Sequence, residues 1–136
     1  SPGGASSGFL PASERTRPLD FRSLAEAGSM LGSAGVVVLN DTVDLAWAVR
    51  HQLRFFELES CGQCAPCRIG TQLQRTAVDR FLDARSRGDA QAMREAFLHV
   101  DAVAWEMAEG SICGLGQAAS LPLTSVLSRF PEVFSR

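Results

Sequence analysis

Four cysteines are the residues of this chain with the clearest potential for chemistry. Cys61, Cys64 and Cys67 follow one another at three-residue intervals, and Cys113 lies far downstream. Such tight spacing usually serves a metal, particularly where thiols stay reduced. Three closely spaced cysteines with one remote partner are typical of cubane clusters, whose four irons each need one terminal thiolate. The spacing therefore favours one [4Fe–4S] cluster bound by these residues.

Zinc and disulfides are the structural alternatives for the same cysteines. Structural zinc more often uses two separate C-x-x-C pairs or mixed Cys/His sets, and His51 and His99 lie on predicted helices away from the cysteines. Disulfide bridges within so tight a loop would be strained. A redox sensor would need an output such as a DNA-binding element, and none is visible in the sequence. A structural adaptor held by a four-cysteine zinc site, without a redox role, remains the alternative from another functional class.

A cubane bound by four thiolates has no open coordination site for a substrate, so it moves electrons one at a time. Polar groups around such a cluster set its reduction potential. Arg68 and the backbone N–H groups of the cysteine loop are candidates for stabilising the more negative reduced state. The cysteines therefore predict an electron relay, and no catalytic residue is assigned.

The segment from Cys61 to Cys67 is predicted to form a loop rather than a regular helix. Residues three apart in a helix climb along its axis, so the thiolates of one helix would not converge. Gly62 frees the backbone, and Pro66 pushes Ala65 out of helical conformation. Cys67 is expected in the first turn of the next helix, where the positive dipole end favours an anionic cluster.

Apolar residues at helical spacing predict a mainly α fold, a four-helix bundle that carries the cluster in its loops. Asp41 or Thr42 is placed to cap the first helix, Asp89 caps the third, and Pro131 stops the fourth. The predicted helices cover about residues 42–58, 66–87, 90–110 and 121–130.

The order of these helices predicts where the cysteines meet. In an antiparallel bundle, the loop between the first two helices lies at the same end as the loop between the last two. Cys113 lies in the second of these loops, the glycine-bearing segment 110–116. Both loops are therefore expected to meet at one tip of the bundle and to bring the four sulfurs together.

The first forty residues are rich in glycine, serine and proline and contain one compact apolar stretch, residues 36–39. Turn signals on both sides predict that this stretch is a short buried strand. The preceding segment offers no obvious partner strand, so the chain is expected to begin partway through a domain. Residues 1–40 and 41–136 are the two predicted units.

Composition excludes several classes of function. Hydrophobic residues make up 46% and charged residues 21%, which is typical of a globular protein. The formal charge of −2 gives no general attraction for nucleic acid, so no nucleic-acid partner is expected. The apolar runs are too short to cross a bilayer, and no signal peptide is visible. A cytoplasmic location without membrane insertion is expected.

Residues 59–71, read as Glu-Ser-Cys-Gly-Gln-Cys-Ala-Pro-Cys-Arg-Ile-Gly-Thr, resemble a known cluster-binding signature. It belongs to the 51 kDa-type flavoprotein subunit that oxidises NADH in respiratory complex I. Related subunits of NAD-dependent formate dehydrogenases and NAD-reducing hydrogenases carry the same signature. Segment 111–113 resembles the fourth-ligand segment of that family, and residues 28–32 with the valines that follow resemble the end of its ubiquitin-like β domain.

The resemblance implies a [4Fe–4S] cluster on Cys61, Cys64, Cys67 and Cys113, preceded by the C-terminal part of a ubiquitin-like β domain in residues 1–40. It implies that the cluster exchanges electrons with FMN and that the wider NAD(H)-dependent oxidoreductase contains a [2Fe–2S] thioredoxin-like subunit and a larger iron–sulfur subunit. The flavin- and NADH-binding domain is expected upstream of residue 1 or on another polypeptide, so this chain alone is not expected to oxidise NADH. Overall similarity favours a soluble formate dehydrogenase, with complex I and NAD-reducing hydrogenase as alternatives.

Overall fold

The computed structural model describes residues 1–134, and these residues form helices and irregular segments without a β-strand. The α-helices in chain order are α1 (Phe21–Glu26), α2 (Leu45–Glu59), α3 (Ala65–Arg87), α4 (Ala90–Glu95), α5 (Val100–Gly110), α6 (Gly114–Ala118) and α7 (Leu121–Arg129). Single 3-10 turns lie at Gly4–Ser6, Ala12–Glu14 and Pro131–Phe134.

Helices α2, α3, α5 and α7 form the predicted bundle. Helix α2 packs on α3, α3 packs on α5, and α7 packs on both α2 and α5, so each helix has two neighbours. Their apolar faces meet in a core that includes Val49, Leu53, Val78, Leu123 and Val126, all buried. Removal of these side chains from water is the main force that holds such helices together. The mainly α fold is confirmed.

Helix α2 begins three residues later than predicted, because Asp44 caps it rather than Asp41 or Thr42. The Asp44 carboxylate accepts the backbone N–H of Ala46 at 3.0 Å. The Thr42 hydroxyl instead donates to the Asn40 side chain at 2.7 Å. That turn holds the chain out of helical conformation until Asp44, since a polar side chain that bonds its own neighbourhood competes with the helix.

Helix α3 ends where the sequence predicts, but it begins at Ala65, so the expectation that Pro66 keeps Ala65 out of the helix is wrong. Pro66 lies in its first turn, where the missing N–H costs no hydrogen bond. Gly88 ends it with a φ of 68°, a left-handed conformation that glycine adopts without a Cβ clash. Helix α3 contacts α2, α5 and α6, so it packs against the helices that flank both cysteine loops.

The predicted third helix is two helices, α4 and α5, so its expected continuity is wrong. Asp89 does cap the first of them, accepting a backbone N–H at 3.0 Å. Between the two, the Phe97 ring packs on Phe81 with ring centroids 5.4 Å apart. The break lets Met93 and Val100 reach different parts of the core. Core packing thus overrides the helical spacing of the apolar residues.

The last predicted helix is preceded by a short one that the apolar pattern does not predict. Helix α6 follows Cys113 directly, and α7 carries the predicted apolar face, with Pro122 in its first turn. Helix α7 ends at Arg129, before Pro131, as expected.

Residues 36–39 do not form the predicted buried strand. Val38 is 87% exposed, and residues 36–39 form no strand in the part of the chain that the structure describes. One reciprocal pair of backbone hydrogen bonds, each 3.0 Å long, joins Val37 to Ser1. The β-branched residues thus do not form a buried strand, and Val36, Val37 and Leu39 are exposed as well.

The segment before α2 packs against helix α7. Phe9 is buried in the same core as Leu123 and Val126. Its N–H donates to the Ser125 hydroxyl at 2.8 Å, and its carbonyl accepts from Arg129 at 2.7 Å.

Of the helices in residues 1–134, none combines the length and the apolar composition needed to cross a bilayer.

Candidate metal centre

The two cysteine loops meet at one end of the bundle, as the helix order predicts. The backbone N–H of Ile112, beside Cys113, donates to Cys64 Sγ at 3.4 Å across the two loops. A Cβ atom on Gly110 would lie 2.8 Å from the Pro66 ring, so the backbones approach as closely as glycine allows. The hydrogen bond from Ile112 to Cys64 thus joins two residues that are 48 positions apart in the sequence.

All four cysteines are free thiols, and they differ in exposure. Cys67 is buried in the first turn of α3, as predicted, and Cys64 is half-buried at the N-cap of that helix. Cys61 and Cys113 are exposed, the latter at the N-cap of α6. The site is therefore enclosed on the side of Cys67 and open on the side of Cys61 and Cys113.

The first loop is held by its own polar groups. Gly62 has a φ of 77°, which lets the chain reverse between Cys61 and Cys64. The Arg68 guanidinium donates to the Gly62 carbonyl at 3.3 Å, so this side chain braces the loop rather than forming an ion pair. The loop shape thus depends on Gly62 and on a cation one residue after Cys67.

Two serines lie beside Cys67, and the cysteine spacing did not identify them as site residues. Ser60 Oγ lies 3.3 Å from Cys67 Sγ. Ser111 comes from the second loop, and its hydroxyl is buried without a hydrogen-bond partner among residues 1–134. A Cβ on Gly116 would lie 2.4 Å from Ser111 Oγ and 2.9 Å from Cys67 Cβ. The signal was available, since each serine lies one or two residues before a cysteine.

The structure joins the two cysteine loops through the Ile112 N–H, but it does not gather the cysteine side chains of residues 1–134 into a site for one metal ion. In residues 1–134, no three His, Cys, Asp or Glu side chains are grouped so that they could hold a metal ion. A zinc ion needs four ligand atoms within about 2.3 Å of one point. A cubane instead carries each thiolate on a separate iron. His51 bonds the Trp47 carbonyl at 2.8 Å, so its ring belongs to α2 rather than to the site.

Comparison with known proteins decides between these possibilities. Residues 47–136 match the model of the NADH-ubiquinone oxidoreductase-F iron–sulfur binding region. The chain belongs to this family. The match runs from α2 to the C-terminus and so includes both cysteine loops. The cofactor of the NADH-ubiquinone oxidoreductase-F iron–sulfur binding region is a [4Fe–4S] cluster, as the cysteine spacing predicts.

Relatives of this iron–sulfur binding region are subunits of oxidoreductases. The F subunit of NADH-quinone oxidoreductase from Rickettsia bellii (strain OSU 85-389) is 36% identical over 137 residues, covering 99% of this chain and 31% of the relative. An F subunit of NADH-quinone oxidoreductase from Rhizobium meliloti (strain 1021) is 34% identical over 138 residues, covering 99% of this chain and 30% of the relative. The chain thus spans under a third of these curated relatives.

A solved structure has the same fold as this iron–sulfur binding region. The chain matches the crystal structure of an NAD⁺-reducing [NiFe]-hydrogenase in the H₂-reduced state with a TM-score of 0.81 and 28% identity. The match covers 99% of this chain and 22% of the hydrogenase chain. The fold of this chain therefore occurs as one part of a larger oxidoreductase chain.

Proposed function

We propose that this chain is a one-electron relay module of an NAD-linked oxidoreductase and that Cys61, Cys64, Cys67 and Cys113 are the four cluster ligands. The hydrogen bond from Ile112 N–H to Cys64 Sγ carries the proposal, because it brings the remote cysteine loop to the close-spaced one. Membership in an iron–sulfur binding family supports it.

The residues of the chain have distinct tasks in this relay. When bound, the cluster supplies one-electron oxidation and reduction without binding a substrate. Cys67 holds it from the enclosed side, where α3 and the second loop exclude water. Cys61 and Cys113 hold it from the exposed side, so an electron donor or acceptor reaches the site there by docking on the surface.

The wider setting is proposed from the relatives. They are named as subunits of NADH-quinone oxidoreductase, and the solved structure is an NAD⁺-reducing hydrogenase. We infer that FMN and NAD(H) bind elsewhere in the subunit or on another chain of the complex, and that this chain alone does not oxidise NADH. Electrons would pass between FMN and the clusters of a [2Fe–2S] thioredoxin-like subunit and a larger iron–sulfur subunit. A soluble formate dehydrogenase in the cytoplasm stays a prediction.

The ubiquitin-like assignment of residues 1–40 also stays a proposal. The reciprocal hydrogen bonds between Ser1 and Val37 support it, because they are those of one hydrogen-bonded pair in an antiparallel ladder. The exposed valines 36–38 supply apolar surface that a neighbouring β structure would cover.

Metal and sulfide analysis tests the relay. Protein purified without oxygen is expected to contain about four irons and four acid-labile sulfides per chain. It should be brown and, after reduction with dithionite, give the electron paramagnetic resonance (EPR) signal of a cubane. Colourless protein with one zinc per chain would instead establish the structural adaptor.

Replacement of Cys113 tests the ligand set. In Cys113→Ser, most of the helical content is expected to remain, while the cluster becomes labile or converts to a three-iron form. Circular dichroism and the EPR spectrum measure the two effects. Ser86→Ala is the control, because Ser86 lies near the far end of α3 and donates only to the Asp83 carbonyl. An unchanged iron content and spectrum in Cys113→Ser would remove Cys113 from the ligands.

A further inference from the structure

The Ser60 hydroxyl is fixed beside Cys67 by the end of helix α2. Its backbone N–H donates to the Phe56 carbonyl at 3.0 Å, which makes Ser60 the C-cap of α2. Its side-chain oxygen lies 3.3 Å from Cys67 Sγ and accepts the N–H of Gly62 at 3.4 Å. The hydroxyl therefore has one lone pair engaged and its proton free to donate.

The direction of the Ser60–Cys67 contact follows from the chemistry of a ligand. A cysteine bound to iron is a thiolate and carries no S–H, so Cys67 accepts and Ser60 donates. A hydrogen bond to an ionised acceptor is stronger than one between neutral groups. Ser60 thus stabilises negative charge at Cys67.

The Ser111 hydroxyl is buried and has no hydrogen-bond partner among residues 1–134. Ser111 is 5% exposed, and its backbone groups are already paired with Met107 and Gln117. A buried hydroxyl without a hydrogen-bond partner is destabilising, because it has lost its bonds to water. A Cβ built on Gly116 would lie 2.4 Å from Ser111 Oγ and 2.9 Å from Cys67 Cβ, so the hydroxyl lies near Cys67 without bonding it. A sulfur of a bound cluster at Cys67 is the acceptor that the site otherwise lacks.

We propose that Ser60 and Ser111 are positioning residues that donate O–H hydrogen bonds to sulfur at Cys67 and thereby raise the reduction potential of the cluster. The inference rests on the proposed function. Reduction adds one electron and breaks no bond, so the reduced state is the more negative one. Donors aimed at sulfur stabilise that state more than the oxidised state, and the potential rises.

An EPR-monitored redox titration of the holoprotein tests this role. Ser60→Ala is expected to bind the same iron and sulfide as the parent. At the parent's midpoint potential, its ratio of reduced to oxidised cluster should fall about threefold, which is about 28 mV for a one-electron couple. Ser111→Ala should shift the ratio in the same direction. Ser60→Thr, which keeps the hydroxyl, should restore the parent ratio, and Ser86→Ala should not change it.

The possible outcomes separate this inference from the relay itself. A parent protein without iron overturns both. A parent with its cluster, and with both alanine variants at the parent potential, overturns the serine role alone. If Ser60→Ala loses the cluster, retention in Ser60→Thr supports the hydroxyl bond, whereas loss in both variants overturns it.

Ser111→Ala has a second readout that does not use the cluster. In the chain stripped of iron, this variant removes a buried hydroxyl that has no acceptor, so its unfolding temperature should rise above that of the stripped parent. An unfolding temperature below that of the stripped parent would show that Ser111 is already paired within the chain and would overturn its part in the proposal.

Discussion

Residues of both loops enclose Cys67, and the second loop can come this close because position 116 is a glycine. Gly116 is buried where α6 passes over the start of α3. The neighbouring atoms belong to Ser111 and Cys67 close to their backbones, so they have little freedom to move aside. The second loop can approach Cys67 because this position has no side chain.

Gly116→Ala is therefore expected to reduce cluster occupancy strongly. The added Cβ would lie 2.4 Å from Ser111 Oγ and 2.6 Å from Ser111 Cβ, which forces the second loop away from the first. Iron content per chain and the EPR signal intensity measure the loss. Gly114→Ala is the matched control in the same short helix, since its Cβ would meet nothing within 4 Å in residues 1–134. Full occupancy in Gly116→Ala would show that the loops need not pack this closely.

At the level of elements, helices α2 and α3 are joined by ion pairs along their contact. Arg75 on α3 bonds both Glu57 on α2 and Asp79 on α3, and Arg50 on α2 bonds Asp79 at 2.5 Å. The hydrogen bond that Arg75 donates to the Glu57 carboxylate is the main reason that the pKa of Arg75 is raised. These pairs fix how the two helices lie against each other, and so how the first cysteine loop connects them.

The start of α2 gives a prediction about stability. Asp44→Ala is expected to lower the free energy of unfolding by about 1 kcal/mol, because it removes the N-cap. Asp44→Asn should cost less, since asparagine caps as well and only the exposed pair with Arg85 is lost. Urea unfolding measures both. Asp41→Ala is the control, as Asp41 is the aspartate that the sequence favoured and the structure does not use as the cap. Equal losses at both aspartates would contradict the assignment.

The same residue predicts a dependence on pH. The hydrogen bond from Arg85, at 2.5 Å, holds the pKa of the Asp44 carboxyl below its ordinary value. A lowered pKa in the folded state means that this stabilisation is present above the carboxyl pKa of the unfolded chain. It is lost as the pH falls through the folded-state pKa. The parent and Asp44→Asn should therefore approach each other in stability in acid. A difference between them that persists at the lowest pH would contradict this.

At the scale of the whole molecule, most of the buried apolar volume is separate from the sulfur atoms. The largest fully buried side chains include Phe81, Leu53, Leu123 and Val126, which pack between the helices. The cluster end adds a smaller group made of Phe56, Met107 and Ala119. The helices therefore have a core of their own, and with the proposed ligands the cluster would join two loops at one end of it.

Removal of the cluster is expected to leave the bundle folded but less stable. After anaerobic treatment with an oxidant and a chelator, far-UV circular dichroism should retain most of its helical signal. The melting temperature should fall by about 4 °C or more, since about 1 kcal/mol corresponds to a few degrees in a chain of this size. Protein carried through the same steps without chelator is the control. Complete loss of helical signal would show that the metal centre, rather than the core, drives folding.

The sequence by itself determined the candidate ligands, the helical class and several helix ends. Three helix ends follow from local backbone chemistry. Pro66 lies in the first turn of α3, Gly88 ends that helix in a left-handed conformation, and Asp89 caps α4 by accepting a backbone N–H. The order of the helices was also enough to predict that the two cysteine loops share one end of the bundle. The iron–sulfur family followed from spacing and signature alone.

Only the tertiary structure decided the cap at Asp44, the break between α4 and α5, the exposure of residues 36–39 and the two serines beside Cys67. Several of these features involve residues that are distant in the sequence. Arg85 reaches Asp44, Phe81 receives Phe97, and Ser111 approaches Cys67 only after the chain has folded back. Local patterns fix backbone preference, whereas packing selects which side chains are enclosed and what they touch.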